Sequence, residues 1–205
     1  MLIKNILRIL TSYRLSIAKI IFFEFIYLIK GYKGNRFNFT KSEIMTSNIP
    51  CPYYFLYRIK KILSNKSFNT FLDLGCGSGR VIDFFQRGTI NKKFIGIEYF
   101  FNQYTYCKNI FSNKKHIKII NEDFLKQDFL KYDADCYFFN HPISEDSVFI
   151  ELVEKIVNSS NKRKVLFIFV NCGPNIFEPL KHAECIDKFY IKDKKGYSIF
   201  CLNNN

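Results

Sequence analysis

The stretch Phe71-Leu72-Asp73-Leu74-Gly75-Cys76-Gly77-Ser78-Gly79-Arg80 runs directly into the apolar segment Val81-Ile82-Asp83-Phe84-Phe85. A buried strand that ends in glycines and opens a helix brings backbone close to a ligand and aims free helix N–H groups at it. The detail of the loop excludes the commonest ligand of such turns. A dinucleotide fingerprint, G-x-G-x-x-G, needs glycine where this chain has Arg80, and Asp73, two residues ahead of the first glycine, would repel a pyrophosphate. An acid at that place suits a ligand with an ammonium group. The loop therefore points to an amino-acid-bearing nucleotide.

Working outward, the next apolar run, Phe94-Ile95-Gly96-Ile97-Glu98, ends in a carboxylate 19 residues after Gly79. A carboxylate at the end of a second strand can accept hydrogen bonds from ribose hydroxyls. After a third run comes Asn121-Glu122-Asp123-Phe124, where Asp123 can accept from an adenine amino group and Phe124 can stack on the ring. Further apolar runs lie at 135–139, 165–170, 185–191 and 197–202, with helical candidates at 80–87, 101–111 and 145–158 and a looser connection at 122–132. Strand and helix in alternation predict a parallel sheet covered by helices on both faces. The last two runs are joined by Lys192-Asp193-Lys194-Lys195-Gly196, a short polar turn that predicts a β-hairpin. The expected fold is α/β: a doubly wound, mainly parallel seven-stranded sheet ending in an antiparallel hairpin, with an N-terminal helical extension.

With its glycine loop and three acids at consecutive strand ends, the chain resembles the class I, Rossmann-like S-adenosylmethionine-dependent methyltransferases over about residues 50–202. The resemblance implies S-adenosyl-L-methionine as cofactor, with Asp73, Gly75, Gly77 and Gly79 at its methionine part and Glu98 at the ribose. Tyr99 would pack on the adenine, and Asp123 with Phe124 would fix its edge and face. The fourth strand ends Phe139-Asn140-His141-Pro142-Ile143, similar to the Asn-Pro-Pro-aromatic motif of amino-group methyltransferases, with His141 and Ile143 as departures. Asn140 and His141 are the catalytic candidates. His141 is read either as the base that takes a proton from the acceptor, for which a pKa near ~6.5 is suited, or as a histidine that only holds the turn. The segment Ile49-Pro50-Cys51-Pro52-Tyr53-Tyr54-Phe55 is similar to a proline-containing helix that closes over the cofactor in small bacterial methyltransferases of glycan or protein-lysine type. In that reading Tyr53 and Tyr54 line the acceptor pocket; in the alternative they are helix packing.

The formal charge of +13 is uneven: residues 1–70 hold 12 Lys/Arg against Glu24 and Glu43, a balance of +10, and the remainder +3. Only 7 of the 31 basic residues are Arg, the side chain suited to bidentate phosphate and base contacts, so nucleic acid ranks low among the partners. Seven scattered cysteines without C-x-x-C spacing suggest neither a disulfide framework nor a metal site, and imply a reduced, cytoplasmic compartment. Residues 15–29 (LSIAKIIFFEFIYLI) are apolar but interrupted by Lys19 and Glu24, which disfavours a transmembrane span. Lys4, Arg8, Ser12, Ser16 and Lys19 follow at helical spacing, so this helix is read in two ways. It lies on an anionic membrane through residues 1–30, at the inner face, with Phe22, Phe23 and Phe25 inserted, or it packs on the domain or on a second subunit, as in a homodimer. The chain divides into residues 1–48, an amphipathic helix and a linker or lid, and 49–205, the methyltransferase-like domain. The leading functional reading is an enzyme that transfers a methyl group to a glycan or lipid-linked intermediate, then to a protein side chain or small molecule. The alternative is a non-catalytic, cofactor-binding partner subunit.

Overall fold

The computed structural model describes residues 2–34, 44–46, 49–88, 91–160 and 164–203, with side chains described from Leu15 onward. Much of the expected linker, and the basic positions Lys4 and Arg8, lie outside these limits. The helices are α1 (Leu2–Ile29), α2 (Tyr53–Leu63), α3 (Arg80–Gln86), α4 (Phe101–Ile110) and α5 (Asp146–Ser159). The strands are β1 (Thr70–Leu74), β2 (Lys93–Glu98), β3 (Ile117–Asn121), β4 (Cys136–Asn140), β5 (Lys164–Val170), β6 (Glu184–Lys192) and β7 (Lys195–Asn203). All seven apolar runs are strands, and the loose connection at 122–132 holds two short 3-10 turns, Phe124–Lys126 and Leu130–Tyr132.

The sheet runs in the order β3-β2-β1-β4-β5-β7-β6. Strands β1 to β5 pair in parallel, and β7 is antiparallel to both β5 and β6. Because helices cover both faces, the central strands are buried on both sides and lose the alternation of a half-exposed strand. Every residue of β1 is buried. Alternate residues still feed different layers: Phe71, Phe94 and Phe138 pack with α2 and α3, while Leu72, Leu74, Tyr137 and Phe139 pack with α5. On that second face Phe139 stacks on Phe169 with ring centroids 4.9 Å apart, and Tyr137 on Phe167 at 5.5 Å, each a register pair of β4 and β5. Such pairs add about 0.5–1.5 kcal/mol beyond their buried area and hold these two strand ends in register.

Helix α1 is built into the first layer. Ile20, Phe23 and Tyr27 pack against the core, Phe23 lies 5.3 Å from Tyr54 and 5.0 Å from Tyr57, and Tyr27 stacks on Tyr53 at 5.0 Å. Phe23 is thus turned inward, away from the membrane-facing position expected for it. The opposite face of α1 carries Leu15, Ile21, Phe22, Phe25, Leu28 and Ile29, all exposed. Among the described residues no helix is long and apolar enough to cross a membrane. Glu24 joins the layers: its carboxylate accepts from the Tyr53 N–H that starts α2 (2.9 Å) and from Arg80 Nη1 at the start of α3 (2.9 Å). The chain then runs to Gly34, whose φ of +77° and absence of a side chain let it lie against the Arg80 backbone nitrogen, where a Cβ would overlap. Ser78 Oγ donates to the Gly34 carbonyl at 2.7 Å.

Candidate functional site

Strand order reverses between β1 and β4, so their carboxyl ends diverge from the loops that follow and leave a crevice there. Asp73 stands at this place with 2% of its surface exposed. Among the described residues its Oδ2 has no hydrogen-bond partner. Burial, and then the neighbouring Glu98 charge, push its carboxyl well above the usual range. Gly75 follows with φ +77°, and a Cβ there would lie 3.1 Å from the Pro142 Cβ of the β4 loop, so the two loops close only around a glycine.

Glu98 ends β2 beside this loop. Its Oε2 accepts from the Gly77 N–H at 2.7 Å and its Oε1 from the Phe100 N–H at 2.8 Å. Burial raises its pKa and those backbone donors oppose the rise. The carboxylate is therefore fixed by backbone donors, the Tyr99 N–H among them. Tyr99 is half exposed at the rim, and Phe124 is buried in the wall. Asp123 is engaged locally: its Oδ1 caps the following turn by accepting from Leu125 N–H at 3.0 Å, and Lys126 Nζ sits 3.7 Å from its Oδ2. Gly79 differs from expectation. It faces Cys107 and Phe111 behind the loop, so it allows α3 to pack on α4 and does not line the crevice.

The crevice is covered by a strap from the N-terminal part of the chain. Met45 bridges to Ile143, Thr46 N–H donates to the Pro142 carbonyl at 3.2 Å, and Ser144 N–H to the Ile44 carbonyl at 2.8 Å. Asn140 Nδ2 donates to the Ile49 carbonyl at 2.8 Å. Beside Gly75, Gly77 and Glu98 a cavity of about 40 Å³ is left. That is room for about three waters.

Past Asn140 the crevice opens into a second cavity of about 650 Å³ between α1, the start of α2 and the β6–β7 turn. Asn140 and His141 form its floor; Ile17, Ile20 and Phe55 are walls; Lys194 and Lys195 stand at the turn. Asn140 is held from two sides, since Asn171 Nδ2 donates to its Oδ1 at 3.0 Å. His141 adopts φ +44°, and its Nδ1 is buried without a hydrogen-bond partner among the described residues. Burial, then the charge of Lys194, hold its pKa below the ordinary histidine value. Tyr53 and Tyr54, expected to line the acceptor pocket, are core residues instead. Tyr53 lies under the Arg80 guanidinium (4.4 Å) and Tyr54 against Phe23 and Phe189, because helical periodicity turns Pro52 and Phe55 to the cavity.

Sequence reasoning missed Asn171, Arg80 and the two lysines as parts of this region. The signal for Asn171 is its position: it directly follows Val170, the last residue of β5 and the register partner of Asn140 at the end of β4, so the two asparagines adjoin. Among the described residues no group of three or more His, Cys, Asp or Glu is placed to hold a metal ion.

No protein-family model and no curated protein matches the chain. Solved structures do. The methyltransferase domain of bacterial CtHen1-C aligns with a TM-score of 0.55 at 11% identity, over 72% of this chain and 95% of that one. A Staphylococcus aureus protein assigned as a caffeoyl-CoA O-methyltransferase gives 0.54 at 15%, over 71% and 81%. The N-methyltransferase NodS from Bradyrhizobium japonicum WM9 gives 0.53 at 11%, over 73% and 92%. At these identities the likeness is one of fold.

Proposed function

We propose that this chain, which shares its fold with N- and O-methyltransferases, is itself an S-adenosylmethionine-dependent methyltransferase. The observation that carries the reading is the buried, unpartnered carboxylate oxygen of Asp73 beside Gly75, a site that lacks only a cation. Asp73 would take the cofactor's ammonium, the Gly75 and Gly77 backbone its methionine part, and Glu98 its ribose. Tyr99 and Phe124 would hold the adenine ring, with Asp123 at its edge. When bound, S-adenosylmethionine supplies a methyl group already activated by its sulfonium, so the chain has mainly to align an in-line displacement and exclude water.

Asn140, held between Asn171 and the Ile49 carbonyl, stands where the cradle meets the larger cavity and positions the acceptor. His141 takes the acceptor's proton. The test is incubation of the purified protein with methyl-labelled S-adenosylmethionine and fractionated cell extract, alongside a thermal shift with the cofactor alone. Label entering one fraction supports the enzyme; no thermal shift removes the cofactor assignment. A shift without label in any fraction points to the non-catalytic partner subunit, which the departures at His141 and Ile143 from the amino-group motif favour.

Because burial and Lys194 keep His141 neutral to lower pH than a free histidine, the rate of methyl transfer should be flat through neutrality. It should fall only below the ordinary value of ~6.5. His141→Gln should lower kcat about 100-fold and abolish that acid limb, measured as kcat/KM between about pH 5 and 8. An unchanged acid limb in the variant assigns the titration to another group.

The exposed face of α1 supports a peripheral position on an anionic bilayer, with the +10 of residues 1–70 as the complementary charge. Phe22 and Phe25 are 58% and 64% exposed. The double variant Phe22→Ser/Phe25→Ser should lose most co-sedimentation with phosphatidylglycerol vesicles, by at least about tenfold. Wild-type protein left in the supernatant overturns the placement, and a dimer in solution that the same variant dissociates assigns the face to a second copy.

A further inference from the structure

We infer that the acceptor is an amphipathic anion, whose apolar body fills the cavity against α1, α2 and β6 and whose negative headgroup meets Lys194 and Lys195. The inference rests on the methyltransferase reading for the reaction itself, and it narrows the favoured acceptor, a glycan or lipid-linked intermediate, to a lipid-like one. The cavity, at about 650 Å³, is within the size of an organic ligand site. Its walls are hydrocarbon: Ile17 and Ile20 from α1, Ile49, Pro52 and Phe55 from the strap and α2, and Ile191 from β6. Against such walls the hydroxyls of a free sugar chain would give up water without replacement partners, whereas a hydrocarbon body gains about 25 cal/mol for each Å² it buries.

The charge at the turn sets the other end. No carboxylate lines the cavity among the described residues. Lys194 has only a long contact to Asp146, 3.5 Å, outside the lining, and Lys195 has no acidic partner among the described residues. Both side chains are exposed on the turn, so the end of the cavity is positive. Lys194 and the proposed base, His141, line the same cavity, and the Lys194 charge lowers the basicity of His141 while Asp146 opposes it. The atom to be methylated therefore lies near the acceptor's anionic group, with the apolar body leading away along α1. An anion bound there also offsets the Lys194 charge and raises the basicity of His141, so the base strengthens when the acceptor arrives.

The probe is cis-parinaric acid, a long-chain carboxylate whose fluorescence rises in an apolar site, used with the full chain below its aggregation threshold. Saturable binding at one site per chain is expected, displaced by decanoate and untouched by maltotetraose. Lys194→Ala/Lys195→Ala should weaken it about tenfold while leaving the fold intact, because both side chains are exposed on a turn. Absence of saturable binding, competition by maltotetraose, or insensitivity to the lysine pair overturns the inference. So does loss of binding in Phe22→Ser/Phe25→Ser alone, which would locate the probe on the outer face of α1. The thermal shift with S-adenosylmethionine, run on the same samples, keeps the two readings apart: a shift without parinarate binding removes only the acceptor class, and no shift removes the methyltransferase.

Discussion

Asp73→Asn should make the protein more stable and at the same time blind to S-adenosylmethionine. Most substitutions at a buried site lose stability, so the opposite sign is diagnostic. The native carboxylate is 2% exposed, one of its oxygens has no partner among the described residues, and it faces Glu98. The amide keeps the shape and removes an uncompensated charge. A gain of about 1–3 kcal/mol follows, or a rise in Tm of about 3–10 °C for a chain of this size. The sign with pH is fixed by linkage. Asp73 holds its proton to higher pH in the folded state than in the unfolded one, so its penalty is absent in acid, grows above about pH 4 and levels once the raised folded value is passed. Scanning calorimetry should therefore find the variant's advantage small in acid and growing with pH until Asp73 ionises in the folded state.

Cofactor binding should respond in the other direction. An ammonium that meets an amide instead of a carboxylate loses a charge-assisted hydrogen bond, and affinity should fall about 100-fold by titration calorimetry. In the wild type, the cofactor's cation favours ionised Asp73, so binding releases a proton and tightens as pH rises. A variant that is less stable than wild type yet binds the cofactor normally would remove Asp73 from the site.

Glu24→Ala should cost about 3 kcal/mol and lower Tm by about 6–12 °C, although the residue is remote from the proposed chemistry. Arg80 is 6% exposed, and its guanidinium is satisfied by Glu24, by the Cys51 carbonyl at 3.1 Å and by the Tyr53 ring. Its Nε has no partner among the described residues, so loss of Glu24 strands a buried cation. The Tyr53 N–H at the start of α2 loses its acceptor in the same step. Glu24→Gln should recover part of the loss as a neutral acceptor. Glu24→Ala/Arg80→Met should be less damaged than the two single variants summed, since the stranded charge is then gone. A Tm for Glu24→Ala within a degree of wild type would show that the pair is only a surface contact.

The difference in legibility between the cradle and the cavity is physical. The cradle is made of short-range features: a strand, its glycine turn and an acid at the next strand end lie within a few residues of one another, and all seven strands follow from apolar runs of the length a two-sided sheet requires. The cavity is made of long-range ones. That Ile17 and Ile20 of α1 wall the space above Asn140 depends on Glu24 meeting Arg80 across 56 residues, which neither spacing nor composition encodes. An aromatic run gives a helix without fixing which face is inward, so Tyr53 and Tyr54 read equally as pocket lining or as packing, and the structure shows packing. Arg80 was legible only as the absence of a glycine; its role in docking α1 required the partner.

The Glu24 tie also sets a schedule for the chain during synthesis. Helix α1 leaves the ribosome before the elements it docks on, with apolar residues on two faces, and the arginine that anchors it is made 56 residues after Glu24. At about 5–20 residues per second that is a wait of about 3–11 s. Until first Tyr53 and then Arg80 are made, the helix lacks the residues it docks on, and a chaperone or a bilayer is the surface available to it. The helix therefore has two successive occupants for one face: whatever shields it in the nascent chain, and then the core of its own domain.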